Sequence, residues 1–115
     1  MSRRSRKGGA GKQRANAEVF AALGNATRLA LVAKLCGGAA RSIAELTEDS
    51  RMTRQAITKH LRVLESAGIV HSVREGRESR YAFDREPIAE ARDYLVVVSK
   101  QWDEALGRLK ALVEK

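Results

Sequence analysis

The sequence predicts a small α+β domain, mainly helical, and three observations predict it. Apolar residues recur at three- and four-residue spacing through most of the chain, with Ile57, Leu61 and Leu64 as the clearest set. Residues 69–84 depart from that period and read as two β-rich runs about a Glu75-Gly76 turn. At 115 residues and 43% apolar content, the chain has room for one folded domain but not comfortably for two.

Taken in order, residues 1–15 mix Arg, Lys, Ser and Gly with almost nothing apolar, so a disordered basic arm is expected there and a folded domain over 16–115. Asn16 is placed to cap a first helix that runs to Leu23 and stops at Gly24-Asn25, with Val19, Phe20 and Leu23 on one face. A second helix is expected from Ala26 or Thr27 to Cys36. Its apolar face would carry Leu29, Val32, Ala33 and Cys36, the cysteine acting as a small buried hydrophobe.

Ser42 followed three residues later by Glu45 is a capping box, opening a short helix that buries Ile43 and Leu46. Thr53 caps a longer helix to about Ala67, closed by Gly68. Arg51, in the turn between these two helices, would be strained by about 1 kcal/mol or more if that position needed a positive φ. Ile69–Arg74 and Ser79–Asp84 form a hairpin, with Ser79, Tyr81 and Phe83 on its inward face. Asp84 and Pro87 start a last helix over about 86–114. Two helices joined by a tight turn and followed by a hairpin make a winged helix-turn-helix.

Charge narrows the partner. The formal net charge is +8. Arg3, Arg4, Arg6, Lys7, Lys12 and Arg14 stand in the first sixteen residues without one acid, and residues 51–80 hold seven basic groups against three acidic. Elsewhere acids and bases nearly balance. A polyanion that meets the tail and the internal stretch is the simplest reading.

The helix at 53–66 is the element shaped to meet it. Ile57, Leu61 and Leu64 lie within about 60° of one another in helical projection. Gln55, Thr58, Lys59, Arg62 and Ser66 cluster opposite, without a carboxylate. Arg, Gln and Thr can pair with the base edges of a major groove, while Arg51, Thr53 and Arg54 at the helix start can reach phosphate. In the hairpin, Arg74, Arg77 and Arg80 flank the turn, where a narrow tip can lie on backbone or enter a minor groove. Tyr81 and Phe83 read as core. With five aromatic residues in the chain, a stacking platform for single strands has little support.

Residues Thr53-Arg54-Gln55-Ala56-Ile57-Thr58-Lys59-His60-Leu61, continuing through Leu64 into Ala67-Gly68-Ile69-Val70, resemble the recognition helix of the bacterial ArsR family of winged-helix regulators. Arg74-Glu75-Gly76-Arg77 through Tyr81 looks like the family wing, and Ala22-Leu23-Gly24-Asn25-Ala26-Thr27-Arg28 like its first inter-helix segment. The resemblance covers about residues 17–115. It implies a homodimeric repressor that binds an inverted-repeat operator in double-stranded DNA and releases it on a signal. It also places Thr58 and His60 among the polar positions the family directs at DNA. His60 lies close to the buried stripe, so a bond within the fold is the other reading; His71 reads as structural.

Many members of that family sense metals through cysteine pairs before the recognition helix or through Asp and His on the final helix. Residues 42–48 contain no cysteine and residues 86–114 no histidine, so no metal or other cofactor is expected. A small-molecule effector of unknown class stays open. Catalytic sets are equally illegible, and Gly8-Gly9-Ala10-Gly11-Lys12 lacks phosphate-loop spacing, so an enzyme is not expected. The single cysteine fits a reducing cytoplasm, and no apolar run approaches a membrane span.

Ile88, Ala91, Leu95, Val98, Trp102, Ala105, Leu109 and Leu112 repeat in steps of three and four, an a/d seam longer than a small domain can cover. Pairing of this helix with a second copy is expected, with Phe20 joining the dimer interface. The sequence thus points to a sequence-specific, dimeric, double-stranded-DNA-binding transcriptional regulator. A sequence-neutral architectural protein and a protein-interaction module are the alternatives.

Overall fold

The computed structural model describes residues 9–48 and 50–114. In chain order the elements are α1 (Gly9–Leu23), α2 (Ala26–Cys36), β1 (Arg41–Ser42), α3 (Ile43–Glu48), α4 (Arg54–Ser66), β2 (Val70–Glu75), β3 (Glu78–Phe83) and α5 (Glu86–Val113). Among the described residues, no single helix is long and apolar enough to cross a membrane.

The expected disordered arm is corrected from Gly9 onward; residues 1–8 lie outside the described residues. Ala10, Lys12, Gln13, Arg14 and Ala15 are strong helix formers. Once Val19 and Ala22 are packed, adding turns toward the N-terminus costs little, because nucleation is the expensive step. Low apolar content argues against tertiary burial and says nothing against such an extension. Asn16, expected as a cap, lies buried within α1 instead.

Asn25 caps α2, its Oδ1 accepting from the amides of Thr27 and Arg28 at 2.9 and 3.1 Å. The buried face of α2 is Leu31, Val32 and Leu35, while Leu29 is half exposed and Cys36 exposed. Of the expected face, Val32 is buried, whereas Leu29, Ala33 and Cys36 are exposed, so the buried stripe lies further round the helix. This helix is apolar around most of its circumference, and two stripes fit the period. The long-range partners α1, α4 and β3 choose between them.

The capping box forms as expected. Ser42 N donates to Glu45 Oε1 at 2.9 Å, and Glu45 N donates to Ser42 Oγ at 3.1 Å. Thr53 caps α4 by accepting from Ala56 N. At its far end Ile69 N donates to Leu64 O and Gly68 N to Glu65 O, with Gly68 at φ +78°. That is a Schellman closure, and its hydrophobic contact joins the fully buried Leu64 and Ile69. Among the described residues no non-glycine has a positive φ, so Arg51 carries no left-handed strain.

The sheet is antiparallel with strand order β1-β3-β2. β1 pairs Arg41 with Tyr81 and Ser42 with Arg80, adding a strand to the expected hairpin. Two residues carry no readable alternation, and their partner lies about forty positions away. In the hairpin Val70 faces Phe83 and Glu75 faces Glu78, so the turn is Gly76-Arg77, one residue later than expected. Gly76 supplies the positive φ, +62°, that a two-residue turn of type II′ needs in its first place. Tyr81 is buried and Phe83 packs on the core, but Ser79 is exposed rather than inward.

The core joins Val19, Leu35, Leu46, Ile57, Leu61, Leu64 and Val70. α5 begins at Glu86, whose amide is held by Asp84 Oδ1 at 3.0 Å, with Pro87 in the first turn. Its first turns lie on α1, where the Phe20 and Tyr94 ring centroids are 6.5 Å apart. Ala91 is buried there, and Ile88 and Phe20 pack on the core, which corrects the expected place of all three in a dimer interface. From Leu95 onward the helix leaves the domain. Leu95, Trp102, Leu109 and Leu112 are 50%, 64%, 55% and 68% exposed.

Candidate nucleic-acid interface

α4 is positioned by its own buried side. Ile57, Leu61 and Leu64 are fully buried, which turns the opposite face outward. Thr53, Arg54, Gln55, Ala56, Thr58, Lys59 and Arg62 border one shallow, open depression on that face. The structure thus brings together most of the residues expected on the reading face, and no carboxylate lies among them.

Local bonding limits what some of them can do. Thr58 Oγ1 donates to Arg54 O at 2.7 Å, so its hydroxyl hydrogen is engaged and its oxygen is left as an acceptor. Thr53 Oγ1 accepts from Ala56 N at 3.1 Å and keeps its own hydrogen to donate. The amides of Arg54 and Gln55 open the helix and have no intrahelical acceptor. Arg51 is exposed in the turn just before them. Together these give a basic, donor-rich end suited to phosphate and a flank suited to base edges.

The wing presents Arg74 and Arg77. Both are exposed, and Arg74 Nε donates to Gly76 O at 3.3 Å, steadying the tip. Arg80 does not join them, which corrects its place in the expected DNA-binding set. Its Nη1 donates to Ala40 O at 3.0 Å and Glu45 Oε1 at 2.8 Å. Glu78 and Glu75 lie at 3.3 and 3.4 Å from Nη2 and Nε. Arg80 Nε is buried and makes no hydrogen bond beyond that loose ion pair. The hydrogen bond to Glu45 is the first cause of the rise in the guanidinium pKa above its already high value.

His60 has a neighbour within the fold, the second of its two expected readings. Its Nδ1 lies 3.4 Å from Arg28 Nη1, beside the α1–α2 turn and off the reading face. Arg28, which sequence reasoning missed, also donates from Nε to Ala22 O and from Nη2 to Ala21 O, at 2.6 and 3.3 Å. A cation just past the Gly24 helix stop was the available signal, since the last carbonyls of a helix attract one. His71 is bound at 2.9 Å to Asp84, which leaves it outside the interface. Among the described residues no three His, Cys, Asp or Glu side chains gather as a metal site requires.

The amide of Ser42 is the main cause that holds the Glu45 carboxyl below its ordinary pKa, with Arg80 adding to it against a desolvation penalty. A carboxyl with a lower pKa folded than unfolded contributes stability above the unfolded value and loses it as pH falls through both. The melting temperature is therefore expected to decline below about pH 5. E45Q, which keeps an oxygen for the Ser42 amide, is expected to flatten this acid limb in a thermal-melt series. An acid limb of unchanged steepness would assign the loss to other carboxylates.

Comparison with known proteins gives concordant matches. The family model described as "Helix-turn-helix domain" matches residues 23–73, the end of α1 through most of β2. An uncharacterized HTH-type transcriptional regulator of Bacillus subtilis, YuzN, is 41% identical over 76 residues, covering 61% of this chain and 83% of that protein. Among solved structures, an ArsR-like transcriptional regulator from Rhodococcus sp. RHA1 superposes with TM-score 0.78 at 35% identity, covering 89% of this chain and 95% of that one. A homodimeric winged helix-turn-helix DNA-binding domain from Mycobacterium bovis superposes with TM-score 0.65 at 24% identity, covering 90% and 93% of the two chains, and shares the fold.

Proposed function

Since this chain belongs to the ArsR family of winged helix-turn-helix transcriptional regulators, we propose that it acts as a homodimeric repressor on a palindromic operator in double-stranded DNA. One observation carries the reading: the outward, carboxylate-free face of α4, flanked by Arg51 and by a wing carrying Arg74 and Arg77.

The dimer is supported by the bare apolar stripe on the outer half of α5 and by the Mycobacterium bovis neighbour, which is a homodimer. In that arrangement Leu95, Val98, Trp102, Ala105 and Leu109 meet a second copy, and Phe20 steadies α5 from within its own protomer. A two-fold pair presents its α4 helices about one helical turn of DNA apart, roughly 34 Å, which a palindrome matches. Repression by occupancy asks nothing beyond that grip. A ligand that moved the paired α5 helices would alter the spacing and so release the operator. Acting on DNA, the protein is expected in the cytoplasm.

The test is selection from random duplexes with the full chain, followed by titration of the enriched sequence over a range of salt. A palindrome favoured over scrambled duplex by ~10³-fold or more is expected, with a slope of log K on log salt of about −0.9 per phosphate neutralised. Equal affinity for every duplex would instead indicate an architectural protein. No retention at all would indicate a protein-interaction module.

A further inference from the structure

We propose that Arg80 is a positioning residue that locks the wing to the reading helix, so that the two elements grip DNA as one rigid unit. The inference rests on the operator reading above and assigns Arg80 no contact with DNA.

Its guanidinium sits where four pieces of chain converge. Ala40 O precedes β1, Glu45 belongs to α3, and Glu75 and Glu78 are the last paired residues before the wing turn. Each is held elsewhere or placed by pairing. Glu45 is tied by the Ser42 amide, and α3 packs on α4 with Leu46 fully buried. Glu75 and Glu78 stand directly opposite, an arrangement that like charges disfavour unless a cation lies between them. Arg80 therefore draws both wing strands toward the element that supports α4. The planar fork of arginine can engage several acceptors at fixed angles, which a lysine cannot do. Its side chain is only 24% exposed while Glu45, Glu75 and Glu78 are 48%, 69% and 51% exposed, so the hold comes from the number of partners on one fork rather than from burial of the pairs.

Losing the fork removes the side-chain ties between the tip half of the wing and α3, leaving only the base of the hairpin anchored in the core through Val70, Tyr81 and Phe83 and the tip free to change pitch. Arg77 would then no longer be held at the phosphate that α4's docking sets for it. Arg80 and Arg77 are thus coupled in DNA binding although no hydrogen bond or ion pair joins their side chains.

A double-mutant cycle reads this coupling directly. Operator affinity is measured for the starting protein, R77Q, R80M and the double variant, with melting curves to establish folding. R77Q is expected to weaken binding about tenfold in the starting protein, since each protomer then leaves one phosphate without its cation. In the R80M background the same change is expected to cost less than about twofold, because residue 77 no longer reaches that phosphate. R80K keeps the charge without the fork, should fall between, and carries the cycle if R80M does not fold. The same R77Q factor in both backgrounds would overturn the proposal and leave Arg80 as a stabiliser of the sheet. So would an R77Q variant that binds as the starting protein does. A starting protein that prefers no duplex would instead sink the operator reading itself, a different and separately visible failure.

Discussion

R54E combined with R62E is expected to lower operator affinity by ~10³-fold or more at 150 mM salt while leaving the fold intact. Both side chains are exposed on the open face of α4, so surface substitution there should shift stability by no more than about 0.5 kcal/mol. The effect on binding is large for three reasons. Each change moves local charge by two units, and a dimer doubles it. The new carboxylates face phosphates and guanine acceptors, and Lys59 is the one cation left among the residues that border the depression. Softer variants should separate the two roles. R62A is expected to cost about 1–3 kcal/mol per half-site and relax preference at one base position. R54A should weaken all duplexes alike and reduce the salt slope by about one per protomer. Anisotropy titrations on matched and scrambled duplexes check this; a double-Glu variant that still holds the operator would remove α4 from the interface.

L95E with W102E is expected to convert the protein to a monomer and to cost roughly 10²–10⁴ in operator affinity, because linked half-sites lose their effective concentration. Leu95 and Trp102 lie bare on the outer half of α5, and each buried apolar side chain contributes about 1.5–3 kcal/mol, counted on both copies. Glutamates there would place unpaired charges against one another in the seam. Light scattering should then report the 12.6 kDa chain mass instead of twice that value. Melting should lose its dependence on protein concentration. Single half-site binding should survive. A variant still at twice the chain mass would place the interface elsewhere.

Local patterns made most of α4 legible beforehand. Its stripe of Ile57, Leu61 and Leu64, its Thr53 cap and its Gly68 stop are all short-range chemistry, and the reading face follows by geometry from the stripe. What escaped was decided at long range. Arg80 looks like a wing arginine until Glu45, thirty-five positions earlier, is folded beside it. His60 was ambiguous by angle, and Arg28 resolved it. The a/d repeat on α5 does not mark where its surroundings change, and α1 covers its first turns and takes Ile88 and Ala91 inside the protomer. α2 failed for the opposite reason, since excess apolar residues gave two acceptable faces.

The uncovered outer half of α5 also shapes how dosage would be felt. While single chains predominate, the species able to clasp both halves of a site accumulates as the square of chain concentration. Halving expression would then cut the clasping form about fourfold, so modest changes in synthesis would be turned into a steep change in transcription before any signal arrives.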